Sequence, residues 1–333
     1  MKEYNVNQYT GYEYIKIDIA NNFGLDKLTF ANRIKWVDDN KADLTTLSEK
    51  ADSPILYAKG LKALEDAEAG EPTGFIMSLD ATASGTQILA CFMGCHITAA
   101  NVNLINTGNR EDVYLKIATE MSSEEEQFTR SELKNPIMTT FYGSKKQPER
   151  IFGKNSSALL KFYEVLDEEL PGAMEAMKDM QCFWNPDTLM HSFTMPDGHV
   201  ACIKVMEAIE KKIEIDELDH KTFTHRIYIN KPAKKGLSLA ANITHAVDAY
   251  VVREMQRRAY SQGFEMLTIH DSFWASPNNM QMVRENYANI LADISDMNLL
   301  QSIFTELNGS PIELIRSSHD LGDKIRESEY ALS

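Results

Sequence analysis

The sequence predicts an α/β or α+β core that carries a helical insertion. Two short apolar runs, 74–79 and 266–269, have the composition of strands, and each leads into an aspartate, Asp80 or Asp271. Long segments with helical character lie between these runs, and residues 199–232 are richer in β-forming residues. The chain has 333 residues, which is enough for two or three subdomains.

The composition indicates a globular protein without a membrane-spanning segment or a disulfide scaffold. The chain is 43% hydrophobic and 25% charged, as is usual for globular proteins, and no apolar run approaches the roughly 18 residues that would cross a membrane. Its four cysteines indicate a reducing compartment rather than a disulfide scaffold. Cys91, Cys95 and His96 do not have the spacing of a usual zinc knuckle, and the two cysteines also fit small residues buried on one helix.

The charge balance at first argues against a nucleic-acid partner, because the formal net charge is −15. The basic residues are concentrated, however, in 145–154, 231–235 and 253–258. A locally basic groove inside an acidic protein is therefore compatible with the sequence. The glutamate run at 124–126 is better explained as a solvated face.

The first half of the chain is predicted to be mostly helical around one strand. Residues 1–70 should form helices and loops, and the strand 74–79 should be followed by helices over 84–94 and 110–121. Ser122 and Glu125 fit an S-x-x-E capping box that would open the next helix.

That next helix should carry Arg130, Lys134, Met138 and Tyr142 on one face and end at Gly143, because these residues follow each other at intervals of four. Pro136 leaves two alternatives open. Either the helix kinks at the proline, or a new helix starts with Pro136 in its first turn.

The second half contains a predicted hairpin and a second strand that ends in an acid. Residues 222–229 alternate well and suggest a hairpin within 199–232, and a long helix over 241–262 should end at Gly263. The run 266–269 reads as a buried strand, with Asp271 at its end near a turn.

The two strand-end aspartates suggest chemistry. They are 271 − 80 = 191 residues apart, and a two-metal phosphoryl-transfer site requires a fold that brings them together. Acids also follow strands simply because strands end at the surface. Arg130 and Lys134 could grip a polyphosphate, or they could form a solvated stripe, and Tyr142 could be a core residue.

Three ordered motifs resemble those of the single-subunit RNA polymerases of bacteriophages and mitochondria. Asp80-x3-Ser84-Gly85-x-Gln87 is similar to motif A of that family, the segment 130–145 to motif B, and Ile269-His270-Asp271-Ser272-Phe273 to motif C. Flanking similarity extends the resemblance over nearly the whole chain, through the segments 14–35, 112–114, 242–248 and 321–331.

The resemblance implies an α+β fold of the right-hand polymerase type, with an antiparallel palm sheet and largely helical fingers. The palm would comprise 1–96 and, together with a C-terminal tail, 252–333. The fingers would comprise 97–251, with the hairpin at about 199–232 in the place of the family's specificity loop. The thumb and the N-terminal domain would be absent from this chain.

The resemblance also implies catalytic and metal-binding residues. Asp80 and Asp271, together with the backbone carbonyl of Ala81, would hold two Mg²⁺ ions, and His270 would support the end of the primer. Six residues would bind the incoming nucleotide: Lys27, Tyr114, Arg130, Lys134, Tyr142 and Gly143. Within this set Arg130 and Lys134 would hold the phosphates, and Tyr142 would sense the ribose 2′-hydroxyl.

The implied reaction is template-directed RNA synthesis from nucleoside triphosphates, with release of pyrophosphate. Its partners would be the DNA template, the nascent RNA and the NTPs, in the cytoplasm of an infected bacterium and without a membrane. The chain starts near the palm at Met1, and so resembles the catalytic subunit of the two-subunit polymerases of schitovirus-like phages. A second subunit would then supply the N-terminal domain and thumb, and a DNA-binding recruiter is a further candidate partner.

Departures from the family pattern leave two rivals. Ile88 and Val251 stand where the family has histidines, and Pro136 is unusual inside the motif B helix. A family-A-type DNA polymerase usually carries a glutamate shortly after each motif aspartate. This chain instead has Ala83, Ser84 and Gly85 after Asp80 and Ser272 after Asp271, which favours RNA synthesis. A non-catalytic nucleic-acid-binding subunit is the other rival, and the intact motif residues argue against it.

Overall fold

The computed structural model describes residues 7–124, 126–232 and 238–333. Helices dominate these residues, and small antiparallel sheets lie among them, which confirms the expected mixture of helix and sheet. Within the described ranges no helix is long and apolar enough to span a bilayer.

The elements are numbered in chain order. The helices are α1 (Gly11–Ala20), α2 (Phe30–Asp39), α3 (Pro54–Glu68), α4 (Ser84–Met93), α5 (His96–Asn101), α6 (Val113–Met121), α7 (Arg130–Phe141), α8 (Lys146–Phe152), α9 (Ser157–Glu169), α10 (Pro171–Cys182), α11 (Ser238–Ser261), α12 (Met280–Asp296), α13 (Leu299–Asn308) and α14 (Leu321–Ile325). The strands are β1 (Met77–Asp80), β2 (Met190–Thr194), β3 (Val200–Lys204), β4 (Met206–Ile215), β5 (Lys221–Asn230), β6 (Leu267–Ile269) and β7 (Ser272–Ala275).

A three-stranded antiparallel sheet in the order β1-β7-β6 joins one strand from the first half of the chain to two strands from the second half. Met77 pairs with Ala275, and Asp80 pairs with Ser272. One face of the sheet is buried, because Met77 and Phe273 are almost fully inaccessible to solvent. The last residue of β1 therefore lies beside the turn that connects β6 to β7.

The strand predicted over 266–269 is present as β6, but the prediction that it is buried was wrong. β6 is an edge strand, and Leu267 and Ile269 are 61% and 59% exposed. Asp271 lies in the tight turn between β6 and β7, where His270 adopts a positive φ of 55°. Periodicity alone could not distinguish a short buried strand from one arm of an exposed hairpin, because both are apolar runs.

Helix α4 forms the centre of the main hydrophobic core and packs against α10, α11 and α12. It starts at Ser84 and ends before Gly94, which has a φ of 61°, as the sequence predicts. Cys91 lies in this helix and Cys95 just beyond it, and both are buried. Burial explains these cysteines without a metal.

Helix α7 begins later than the sequence suggests. Thr129 caps it, with a capping box that includes Glu132, whereas Ser122 ends the preceding helix α6. The prediction that Ser122 opens this helix was therefore wrong, and Glu125 lies outside the described residues. Pro136 is accommodated inside one continuous helix, where the Thr140 hydroxyl donates a hydrogen bond to the Pro136 carbonyl.

A long antiparallel hairpin lies within 199–232. Strands β4 and β5 pair from Met206 with Asn230 to Ile215 with Lys221, and most of their side chains are exposed. β2 and β3 form a separate antiparallel pair. The long hairpin makes few contacts outside itself in the described part of the chain.

The C-terminal tail runs back through the core to the end of β1. The Ser333 amide donates to the Asp80 carbonyl at 2.9 Å, and the Thr82 amide donates to the Ala331 carbonyl at 3.4 Å. The buried Arg33 donates to the Ser333 hydroxyl. The tail therefore supports the backbone that carries Asp80.

A buried carboxyl group in α1 makes stability depend on pH. Asp18 is 6% exposed and accepts a hydrogen bond from the Asn22 side chain at 2.9 Å. Burial disfavours the charged form and raises the pKa of Asp18 to about 7. Between about pH 4 and pH 7 the native state thus holds a proton that the unfolded chain has released.

We predict that the free energy of unfolding falls as the pH rises from about 4 to 7, and that Asp18→Asn removes this fall. The difference between the two proteins should be up to about 4 kcal/mol at pH 8, since a tenfold change in proton affinity is worth about 1.4 kcal/mol. Denaturant unfolding at pH 5 and pH 8 measures it, with Glu65→Gln as an exposed control. An equal pH dependence in wild type and Asp18→Asn would contradict the assignment.

Candidate active site

The two aspartates lie side by side. Asp80 ends β1 opposite Ser272, and the Ala81 amide donates a hydrogen bond to the Asp271 carbonyl at 3.0 Å. Both residues line one cavity of about 540 Å³. A single antiparallel strand pairing therefore brings the two residues together across 191 positions of sequence.

Neither aspartate side chain has a cationic partner in the described part of the chain. Asp80 is exposed to the cavity, and Asp271 is half-buried in its turn. Two carboxylates that share a cavity, with no cationic side chain to balance their negative charge, suit a divalent cation that prefers oxygen ligands. The donor set thus fits Mg²⁺.

Four cationic side chains line the same cavity: Lys27, Arg110, Arg130 and Lys134. The Arg130 guanidinium donates from Nε to the Asp112 carboxylate at 2.6 Å and lies 5.5 Å from the centre of the Tyr114 ring. Lys134 Nζ lies 5.9 Å from the same centre. One turn of α7 thus places the planar guanidinium of Arg130 and the ammonium of Lys134 near the same aromatic ring. Together these two cations are suited to binding several phosphates.

Arg110 was not identified as a site residue from the sequence. It lines the cavity, its Nε is buried without a hydrogen-bond partner among the described residues, and its Nη1 donates to the Glu111 carbonyl at 3.2 Å. Burial lowers the pKa of Arg110. Its only sequence signal is that it stands two residues before Asp112, the cap of α6.

Tyr142 caps the C-terminal end of α7 and lies against Gly85 and His245. Its ring centre lies 4.9 Å from that of His245. A Cβ atom at Gly85 would lie 3.3 Å from the Tyr142 hydroxyl, which is a tight contact. A glycine at this position therefore lets the hydroxyl approach the start of α4. Burial raises the pKa of Tyr142, and the carboxylates of Asp248 and Asp271 add to the rise.

Asp248 is a third carboxyl group near the pair, on α11. Burial raises the pKa of Asp248, the nearby Asp271 adds to the rise, and His245 and His270 oppose it. It accepts a hydrogen bond from the Ser84 side chain at the start of α4. This contact ties the helix that follows Asp80 to α11.

Eight of the ten residues proposed from the sequence line the cavity: Lys27, Asp80, Ala81, Tyr114, Arg130, Lys134, Tyr142 and Asp271. His270 and Gly143 do not. His270 is exposed in the turn beside Asp271, and Gly143 closes α7 by donating its amide to the Thr140 carbonyl at 2.8 Å. Gly143 has a φ of 79°, which favours glycine at that position.

A separate group that could hold a metal lies far along the chain, in the turn of the long hairpin. The Glu214 and Asp216 carboxylates both contact the His220 imidazole, at 2.8 and 3.3 Å. All three side chains are exposed and already satisfy one another. Such exposed groups are common without an ion, and this one does not line the cavity.

Comparison with known proteins identifies relatives. A family model described as DNA-dependent RNA polymerase matches residues 6–150. The chain is 33% identical to the DNA-directed RNA polymerase of Pseudomonas phage phiKMV over 124 residues, which cover 32% of this chain and 15% of the relative. It is 22% identical to the mitochondrial DNA-directed RNA polymerase of Schizosaccharomyces pombe over 328 residues, which cover 79% of this chain and 28% of the relative.

A third relative is a probable DNA-directed RNA polymerase of Neurospora crassa, 31% identical over 126 residues that cover 34% of this chain and 14% of the relative. The matched part of the chain thus spans less than a third of the length of each of these relatives. The family match covers the residues that contain Asp80, Arg130, Lys134 and Tyr142. The chain is therefore similar to DNA-dependent RNA polymerases of the phage and mitochondrial type, and the family model matches it over residues 6–150.

Proposed function

We propose that this chain is the catalytic part of a DNA-directed RNA polymerase. It would join a nucleoside triphosphate to the 3′-hydroxyl of an RNA on a DNA template, with release of pyrophosphate. The observation that carries the proposal is the shared cavity, in which Asp80 and Asp271 lie together with four cations. One relative is a phage polymerase, which supports action in the cytoplasm of an infected bacterium.

The metal ligands would be the carboxylates of Asp80 and Asp271 and the carbonyl of Ala81. The bridge to the C-terminal tail uses the Asp80 carbonyl and the Thr82 amide, so it leaves the Ala81 carbonyl unused. Two Mg²⁺ ions at these ligands would activate the 3′-hydroxyl and neutralise charge on the phosphates.

The protein's own cations would position the triphosphate. Arg130 would bind phosphate oxygens through its two terminal guanidinium nitrogens, because Asp112 holds its Nε in place. Lys134 would supply a second charge one turn along α7, and Lys27 and Arg110 would extend the cationic surface. His270, beside Asp271, would contact the primer end.

Tyr142 would select the sugar, with Gly143 ending the helix at the point where the nucleotide approaches. Gly85 at the start of α4 has no side chain that would crowd the Tyr142 hydroxyl. A DNA polymerase of the family-A type usually places a glutamate there and another after the second aspartate. This chain has Ala83, Ser84 and Gly85 after the first aspartate and Ser272 after the second, and no glutamate at these positions. That difference supports ribonucleotides as the substrate.

The rest of the polymerase would come from a second polypeptide that supplies the N-terminal domain and thumb. The exposed hairpin of β4 and β5 would take the place of the specificity loop within fingers of about 97–251. A DNA-binding recruiter remains a candidate third partner.

Asp271→Ala should abolish Mg²⁺-dependent extension of an RNA primer on a DNA template, by about a thousandfold or more, because the metal site would lose half of its carboxylates. The assay is run on the chain alone and on any complex that copurifies from infected cells. Asp219→Ala, in the exposed hairpin turn, is the matched control. Full activity of Asp271→Ala would favour the rival of a non-catalytic nucleic-acid-binding subunit.

Tyr142→Phe should relax sugar selection while extension is retained, since only the hydroxyl is removed. The ratio of kcat/KM for ribonucleotides to that for deoxynucleotides should fall by about tenfold or more, which corresponds to about 1.4 kcal/mol. Tyr163→Phe on α9 serves as control. An unchanged ratio would remove Tyr142 from this role, and a wild-type preference for deoxynucleotides would support a DNA polymerase instead.

Arg110→Gln should raise the KM for nucleoside triphosphates by about tenfold and leave kcat nearly unchanged. The Arg110 guanidinium lines the cavity beside Arg130 and is not one of the proposed metal ligands. Its loss should therefore weaken nucleotide binding more than it slows the chemical step. The exposed Arg150→Gln on α8 controls for net charge. If Arg110→Gln matches Arg150→Gln in steady-state kinetics, Arg110 does not bind the nucleotide.

A further inference from the structure

A second cavity of about 400 Å³ adjoins the candidate active site. Asp18, Asn22 and Ser78 line both cavities, so the two are continuous through α1 and β1. Ser78 pairs with Trp274 across the sheet, two residues before Asp80 on the same face. The second cavity therefore lies on the sheet face that carries Asp80.

The mouth of this cavity is apolar and exposed. Leu56, Phe75, Ile76 and Trp274 line it, and Ile76 is 47% exposed. Leu267 pairs with Trp274 and extends the apolar surface onto β6, whose outer edge pairs with no other strand in the described chain. An exposed apolar sheet face that ends in an unpaired edge is typical of a surface that another polypeptide covers.

Two buried polar groups at this cavity are incompletely paired within the described residues. The Asp18 side chain accepts a hydrogen bond from Asn22, and no cation pairs with it among the described residues. The Trp274 indole Nε1 is buried without a hydrogen-bond partner in the described chain. A buried carboxylate is costly unless it is paired, so Asp18 suits a cationic donor from outside.

The chemistry of the cavity favours protein over nucleic acid as the occupant. Nucleic-acid binding depends on cations that neutralise phosphates. Of the two lysines that line this cavity, Lys62 is already paired with Asp66 at 2.6 Å, and the floor carries the Asp18 carboxylate. Apolar walls and a buried acid instead match an arginine, whose long stem packs on aromatic rings while its guanidinium binds a carboxylate.

We propose that this second cavity is the docking site of the second polymerase polypeptide, and that an arginine of that polypeptide binds Asp18. The inference rests on the two-polypeptide arrangement proposed above and identifies the surface that it uses. Docking here places the partner directly beside the cavity that contains Asp80. The partner also covers the apolar sheet face and the free edge of β6.

The first test is photo-crosslinking within the purified two-polypeptide complex. A benzophenone amino acid replaces Ile76 at the cavity mouth or, as a control, Ile315, which is 85% exposed and does not line the cavity. We expect a crosslink to the second polypeptide from position 76 and none from position 315. An RNA–DNA hybrid is added in a parallel reaction, and a crosslink from position 76 to the hybrid instead of the polypeptide would overturn the proposal.

The second test measures the affinity of the second polypeptide for Asp18→Asn and Ile76→Glu. Each should weaken binding by at least about tenfold, one by removing the carboxylate and the other by placing a charge in the apolar mouth. Glu65→Gln, on the same helix as Lys62 but outside the cavity, should bind as wild type does. Thermal unfolding of the free chain at pH 8 separates docking from folding, because Asp18→Asn should be at least as stable as wild type.

The outcomes distinguish this inference from the proposed function. A complex that forms normally with both variants refutes the docking site and leaves the polymerase proposal intact. A chain that transcribes with full processivity alone, with no stoichiometric second polypeptide, refutes the two-polypeptide arrangement and the docking site with it. Loss of primer extension in every preparation refutes the polymerase proposal, whatever the crosslinks show.

Discussion

The pairing of β1 with β7 is the constraint on which the site depends. It places Asp80 opposite Ser272 and lets the Ala81 amide bond to the Asp271 carbonyl, so that two segments 191 residues apart share one edge of a sheet. The buried face of the same sheet, with Met77 and Phe273, stabilises this register because a slip by one residue would exchange the buried and exposed faces. The position of the acids therefore follows from hydrophobic burial on the opposite face.

The C-terminal tail reinforces that arrangement from the other side. Its backbone bonds to residues 80 and 82, and two fully buried arginines hold it: Arg33 donates to the Ser333 hydroxyl, and Arg284 pairs with Glu329 at 3.1 Å. Removing one member of a buried ion pair leaves an uncompensated charge, which is strongly destabilising. Distant parts of the chain thus fix the short segment that bears Asp80. On the cavity side Arg130 pairs with Asp112, whereas Asp80 and Asp271 have no cationic partner among the described residues.

The sequence predicted the presence of helices and strands better than their burial or their exact starts. Helix α4 was recognisable from its apolar run and Gly94, and the spacing of Arg130, Lys134 and Tyr142 placed them on one face of α7. The exposed β6 was mistaken for a buried strand because a three-residue apolar run carries no information about its neighbours. Arg110 and Asp18 were missed for a related reason: their importance comes from burial beside a cavity, which depends on tertiary packing and leaves no periodic signal.

The central claim is that Asp80 and Asp271 hold one shared divalent site, and it can be tested without any assay of activity. Fe²⁺ is bound in place of Mg²⁺, and ascorbate and peroxide then generate hydroxyl radicals that cut the backbone close to the ion. The account predicts cuts near both residue 80 and residue 271, and the loss of both cuts when either aspartate alone is changed to alanine. Cuts near only one of the two positions, or a cut at one that survives the loss of the other aspartate, would contradict it.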